Sequence, residues 1–398
     1  MSALRQWLSK CIPTSGQVLD ASALRAEATQ RTGLTDFGDP AYEDPLARLL
    51  VSATEDADLD AIGRALIHRA VVGNLANRLR FVDARQRATQ SLSEPPRRPL
   101  IIAALPRTGS TLLLQLLASH PEALSLPLWL AMRPLPPPRK EDWPKGDSRR
   151  RQAVLTSLAV RTFAPDQMRK HPVLADGRVE CSHLQMSTFE SLQWWGLCQV
   201  HGYAAWLDTR PLDEPYRWLK EHLQLLQADL PGNHWVLKSP AHFLRLDTVL
   251  RTFPRARVVM LHRDPVKVLA STFSLLSSGH AMTSPRPDSE RLAARNLESL
   301  VSGADRVVEV RKHADPNQFL DVGYGELVRD PIGTVSRIHR WAELPHDAKV
   351  DQAVRRALKE NPPDRFGRHT YSADGADAAI VRKRFSQYSE RFAREIEC

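Results

Sequence analysis

Cysteine is scarce in this chain of 398 residues, and its four positions, Cys11, Cys181, Cys198 and Cys398, form neither a CxxC pair nor a metal-ligand spacing. That argues against a disulfide framework and a thiolate metal site, so reduced thiols are expected. No apolar run approaches the ~20 residues that a membrane span needs, so stable insertion into a bilayer is not expected. Residues 1–7 lack an apolar signal segment, which points to the cytoplasm. No internal repeat is evident. What remains is the composition of a globular enzyme, 42% hydrophobic and 25% charged, with length enough for one large domain or two. The formal net charge of +9 would suit nucleic acid or a membrane surface. A polyanionic small ligand accounts for part of it and solvated surface charge for more, so no nucleic-acid partner is expected.

The chain divides into three parts. Leu59, Ile62, Leu66, Ala70, Val72, Leu75, Leu79 and Val82 keep close to helical spacing. Residues 1–95 are therefore read as a helical region whose apolar stripe packs on the rest or extends over the active site. Residues 93–99 form a linker, because Pro95, Pro96 and Pro99 break helix and strand alike. From 96 to 398, apolar runs alternate with helical patterns, and 100–105, 235–237, 258–261 and 319–322 are the candidate core strands. Such alternation predicts an α/β fold of three layers, a central parallel sheet with helices on both faces. Two segments interrupt it. Residues 133–144, followed by Arg149, Arg150 and Arg151, are Pro-rich and basic and read as a solvated loop. Residues 180–206 hold Trp194, Trp195, Tyr203 and Trp206 and read as core packing or as an apolar acceptor pocket.

One loop carries more information than any other. After the apolar run come Pro106, Arg107, Thr108, Gly109, Ser110 and Thr111, then an apolar helical pattern. A strand, a tight loop and a helix in this order aim backbone N–H groups and a positive helix end at one small volume, which suits phosphate. A nucleotide triphosphatase would have Gly-Lys-Ser/Thr here. Gly109 is followed instead by Ser110, and the nearest basic residue is Arg107 on the other side of the glycine, so Mg-ATP is not the expected ligand. A second apolar run, 258–261, leads into Arg263, Asp264 and Pro265, with Ser271 about two helical turns later. Pro265 suits a first helical turn, which has no use for its N–H.

These segments resemble the two cofactor motifs of the sulfotransferases that use 3′-phosphoadenosine 5′-phosphosulfate. In that family a Pro-x-x-Gly-Thr/Ser-Thr loop holds the 5′-phosphosulfate, and an Arg with a Ser eight residues later holds the 3′-phosphate. Pro106, Arg107, Gly109, Ser110 and Thr111 match the first, and Arg263 with Ser271 match the second. Residues 237–242, 324–331 and 367–371 match further motifs in family order, so the resemblance covers roughly 97–395 and looks most like the bacterial branch. It implies a P-loop-like fold and transfer of a sulfuryl group to a hydroxyl on a small-molecule acceptor. It also implies cofactor contacts from Arg107, Thr108, Gly109, Ser110, Thr111, Arg263, Ser271 and Tyr324, the last shaping the boundary between adenine and acceptor. No metal is expected, since a sulfuryl group carries less charge than a γ-phosphoryl and hydrogen-bond donors can replace Mg²⁺. A P-loop kinase and a non-catalytic nucleotide-binding protein are the alternatives, and a homo-oligomer is allowed.

Transfer to a hydroxyl needs a base for its proton and a cation for the charge developing on the bridging oxygen. Lys238 leaves an apolar run at its C-terminal end, where open α/β sheets bind ligands, and the resemblance assigns it to the bridging oxygen. His242 is the expected base, because family members carry a His soon after that lysine, though at shorter spacing. Its alternative is a cap or a buried, satisfied ring. Bacterial relatives often carry a Trp-Glu pair whose Glu is a candidate base, whereas Trp129 is followed here by Leu130. Leucine takes no proton. The base has therefore moved to His242, Glu180 or His183, or the activity is lost or changed. Glu326 is read as a helix-start charge.

Overall fold

The computed structural model describes residues 19–143, 147–362 and 378–397. Three helices come first: α1 (Ala21–Thr32), α2 (Glu43–Glu55) and α3 (Ala61–Arg87). Asp20 and Asp60 cap α1 and α3 by accepting from Ala23 N and Gly63 N. The apolar face of α3 runs through Ile67, Val71, Leu75 and Leu79, while Leu66 is exposed. With apolar residues at both 66 and 67, the pattern allowed either column, and packing against α1 selected the second. Gly63 is needed for contact, since a Cβ there would lie 1.8 Å from Thr283 O.

These helices do not stand apart. Asn77 donates to Met132 O (2.9 Å), Tyr203 N donates to Ser52 Oγ (3.1 Å), and Gly202 N donates to the Asp56 carboxylate (2.8 Å). Their apolar side chains share one cluster with Trp129, Trp194 and Trp235. Trp194 and Tyr203 are buried there, so core packing is what these aromatics do. Part of the Pro-rich loop is also tied down: Leu135 is buried, and Arg149 Nη1 donates to Arg133 O and Pro136 O, both at 2.8 Å.

The rest is built on five parallel strands: β1 (Leu100–Ala104), β2 (Ala123–Leu124), β3 (His234–Lys238), β4 (Arg257–His262) and β5 (Phe319–Gly323), in the order β2-β3-β1-β4-β5. β1 explains why these runs are apolar throughout. Leu100 and Ile102 pack on one face with Leu113 and Leu117 of α4 (Ser110–Leu117). Ala103 packs on the other with Phe243, Val266 and Leu300. A strand covered on both sides has no solvent face to make polar. Among the later helices are α5 (Arg150–Phe163), α6 (Pro240–Leu244), α7 (Pro265–His280), α8 (Ser289–His313), α9 (Tyr324–Arg329) and α10 (Pro331–Trp341). Helices α4 and α10 cover the first face of the sheet, and α6, α7 and α8 cover the second. This is the three-layer, P-loop-like fold.

Candidate active site

Parallel strands bring the motifs together. The loop 105–109 leaves β1, Lys238 ends β3, Arg263 follows β4, and Tyr324 follows β5. The register pairs Ile102 with Lys238, Ala104 with Leu261, and His262 with Gly323. All four motifs thus reach the C-terminal edge of the sheet, where β1 has β3 on one side and β4 on the other.

The first loop turns on two left-handed residues, Arg107 (φ 65°) and Gly109 (φ 84°). α4 then starts at Ser110 without a side-chain cap, which leaves its first-turn N–H groups for an outside acceptor. The buried Thr108 hydroxyl donates to Leu105 O (2.8 Å), which leaves its backbone as the part open to a ligand. Above Gly109 lies Tyr324: a Cβ at 109 would meet its ring at 3.3 Å and Leu327 at 3.2 Å. The Arg263 guanidinium stacks on the same Tyr324 ring, 4.1 Å from its centroid.

Arg107 links the two cofactor motifs. Arg263 Nη1 donates to Arg107 O (2.6 Å), while Arg107 Nε donates to Ser271 Oγ (3.0 Å) and its Nη1 to Lys170 O (2.8 Å). Arg263 and Ser271 therefore hold opposite ends of one residue, although a whole stretch of α7 separates them in sequence. The Ser271 oxygen accepts from Arg107, so its own proton remains for an anion. Asp264 caps α7 by accepting from Val266 N, with Pro265 in the first turn.

Beside this candidate anion site is a group of titratable side chains. Lys238 Nζ, almost wholly buried, donates to Glu180 Oε1 (2.9 Å) and lies 3.4 Å from Thr111 Oγ1. Glu180 Oε2 accepts from Gln193 Nε2 (2.7 Å). Burial pushes the Glu180 carboxyl up, but the charges of Lys238 and its neighbours prevail and bring it to about 2. His183 Nδ1 donates to Glu180 O (2.9 Å), which makes Nε2 the unprotonated nitrogen when the ring is neutral. Loss of water, then the Lys238 charge, pushes half-buried His171 down to about 4. The sequence gives no sign of His171. It follows the short helix Pro165–Lys170 in no motif, and reaches the site because Lys170 O and Nζ are fastened to Arg107 and to Ser274 O.

His242 is not where a base must be. Its ring has no exposed surface, and both nitrogens are engaged, Nε2 with Cys181 Sγ and Nδ1 with Tyr216 OH, each at 2.9 Å. Burial pushes it down to about 3. The reason is the helix start: Ser239 caps α6, and the turn from Pro240 swings residue 242 into the core. The ring fits the alternative reading, buried and satisfied, rather than the expected base. Leu130 is likewise fully buried. Glu326 sits in the first turn of α9 and pairs with Arg337 (2.7 Å). The 367–371 motif, Cys11 and Cys398 lie outside the described residues.

A profile described as the sulfotransferase family matches residues 99–348, well over half of the 398. The chain belongs to the sulfotransferase family. Sulfotransferase STF1 of Mycobacterium tuberculosis H37Rv is similar over 93% of this chain and 99% of its own, with TM-score 0.80 and 29% identity. STF9 of Mycobacterium avium is similar over 96% and 98%, with TM-score 0.85 and 27% identity. The curated relative omega-hydroxy-beta-dihydromenaquinone-9 sulfotransferase Stf3 of Mycobacterium bovis is 26% identical over 160 residues, 39% of this chain and 40% of the relative's length. Membership of the sulfotransferase family implies 3′-phosphoadenosine 5′-phosphosulfate as the donor. The residues present suit it: an uncapped helix start for one phosphate, and Arg263 with the Ser271 hydroxyl for another. No helix among the described residues is long and apolar enough to cross a membrane.

Proposed function

We propose that this sulfotransferase-family chain moves a sulfuryl group from 3′-phosphoadenosine 5′-phosphosulfate to a hydroxyl of a small-molecule acceptor, with Glu180 as base and Lys238 as the cation at the bridging oxygen. The observation that carries this reading is the meeting of the loop after β1 with Lys238, Arg263, Ser271 and Tyr324 at one edge of the sheet. The acceptor oxygen attacks sulfur, the bond from sulfur to the 5′-phosphate oxygen breaks, and 3′-phosphoadenosine 5′-phosphate leaves. Lys238 and Glu180 act in turn. While Lys238 rests on Glu180 Oε1, the carboxylate is a weak base. When Lys238 turns to the bridging oxygen, Glu180 loses its strongest donor, gains basicity and takes the hydroxyl proton. Ser110, Thr111 and the loop N–H groups hold the 5′ end, and Arg263 with Ser271 holds the 3′-phosphate.

Calorimetric titration tests the donor. 3′-Phosphoadenosine 5′-phosphate should bind without metal, and ATP, which has no 3′-phosphate, much more weakly. Equal affinities would remove the 3′-phosphate assignment, and tight ATP binding that needs Mg²⁺ would favour the kinase reading.

A further inference from the structure

Seven large hydrophobic side chains are exposed among the described residues, and three of them lie on α5. Leu155, Leu158 and Phe163 are 67%, 52% and 61% exposed, while Ala153 is the helix's one buried residue. Val51, Leu66, Val328 and Ile380 each stand on a different helix. Single exposed apolar residues are ordinary, whereas a cluster on one element marks a contact surface. Leu155 and Leu158 are one turn apart and Phe163 lies about 140° round from Leu158, so the three occupy one broad side of the helix that also carries Ala159, Gln152 and Thr162.

The same segment is basic. Residues 147–170 contain six Arg and Lys against two Asp. Arg149 and Arg150 are held by Asp147 and Asp176. Arg151 and Arg161 make no ion pair among the described residues, and Arg151, four residues before Leu155, shares the apolar face. Apolar side chains flanked by arginines match a bilayer boundary, where leucine and phenylalanine enter the acyl region and guanidinium groups meet phosphate. We propose that α5 docks this protein on an anionic phospholipid surface, lying on it without spanning it. The helix leads straight into the site. After Phe163, the segment Pro165–Lys170 delivers Lys170 O to Arg107 and His171 to the group around Lys238. A bilayer beneath α5 would hold the site close to hydroxyl acceptors dissolved in the lipid. That use rests on the sulfotransferase reading, but the docking itself does not.

The test is co-sedimentation with vesicles of phosphatidylglycerol mixed into phosphatidylcholine, set against pure phosphatidylcholine. Wild type should pellet with the anionic vesicles and be released by salt. L155S/L158S/F163S and R151E/R161E should each lose at least about tenfold in vesicle affinity. Both should keep wild-type melting temperature and wild-type binding of 3′-phosphoadenosine 5′-phosphate, which separates docking from folding. Wild type left in the supernatant with anionic vesicles overturns the proposal, and so does equal pelleting of the serine variant. It also falls if wild type sediments alone as a dimer that the serine variant dissolves, because a second copy then covers the face. Failure of wild type to bind the bisphosphate would remove the donor reading and leave vesicle binding untouched.

Discussion

At the scale of single residues, the site turns on which partner Lys238 has. The amine is shared between Glu180 and Thr111, at 2.9 and 3.4 Å, so one side chain connects the candidate base to the anion loop. Glu180→Gln keeps the shape and the contact to Gln193 but removes the proton acceptor. Turnover should fall by ~10²–10⁴-fold, with affinity for 3′-phosphoadenosine 5′-phosphate nearly unchanged. The pH profile separates this base from an imidazole. With Glu180 near 2, the carboxylate stays ionised across the working range, so kcat/KM should show no acid limb between about pH 5 and 8 from this group. If Glu180→Gln keeps full turnover while His183→Ala or His171→Ala is dead, the base is one of the histidines. His242 belongs to a different argument. Removing its ring strands the buried Cys181 and Tyr216 groups that meet it. His242→Ala should therefore cost about 1–3 kcal/mol of stability, seen in thermal melts, while folded molecules still bind the bisphosphate.

At the scale of elements, the loop proposed to hold the anion has an uncapped helix start in front and is buttressed behind. Gly109 has φ 84° and is covered by Tyr324 and Leu327, so Gly109→Val meets both a strained backbone and a filled space. It should abolish binding of the bisphosphate in titrations where the melt shows a folded protein, and unchanged affinity would remove this loop as the phosphosulfate site. Thr111→Val should only weaken binding. Arg263→Ala should remove charge-assisted hydrogen bonds of ~1.5–3 kcal/mol each and also release Arg107 O, so it should cost more affinity than Ser271→Ala. These elements were legible in the sequence because β1, β3 and β4 are buried on both faces and keep unbroken apolar runs. β2 was not, since two residues, Ala123 and Leu124, leave no pattern. The anion loop was legible because the order of strand, glycine turn and helix is local chemistry. The base was not. Spacing from Lys238 brought His242 within a turn of it along the chain, but a helix start at Pro240 sends that ring into the core. Glu180 and His171 reach the site through packing that no local pattern encodes.

At the scale of the whole molecule, the histidines give the chain a pH dependence apart from its chemistry. His222, His234, His242, His280 and His339 have no exposed surface. Loss of water pushes all five down from the ordinary 6.5, His222 and His280 to about 4 and His234, His242 and His339 to about 3. His120 meets His234 and His339 edge-on, with ring centroids 4.9 and 5.3 Å away, and is lowered by the same cause. In the folded chain these rings stay neutral until the pH falls to about 4 or below. In the unfolded chain they take up protons as pH drops through 6.5. Between those limits the unfolded state binds more protons, so stability is complete above about 6.5 and declines as pH falls. Glu180 and Asp321 are also held below their ordinary values, and their contribution is lost only as pH falls further, through the carboxylate range. The melting temperature should therefore drop steadily from pH 7 to pH 5, above the range in which Glu180 and Asp321 lose their charge. Replacing two of the clustered rings, His234→Phe with His339→Gln, should flatten that slope whatever it does to the melting temperature at pH 7. A wild-type melting temperature constant over this window would mean that the buried rings find protons or water in the folded state, and the account of their burial would fail.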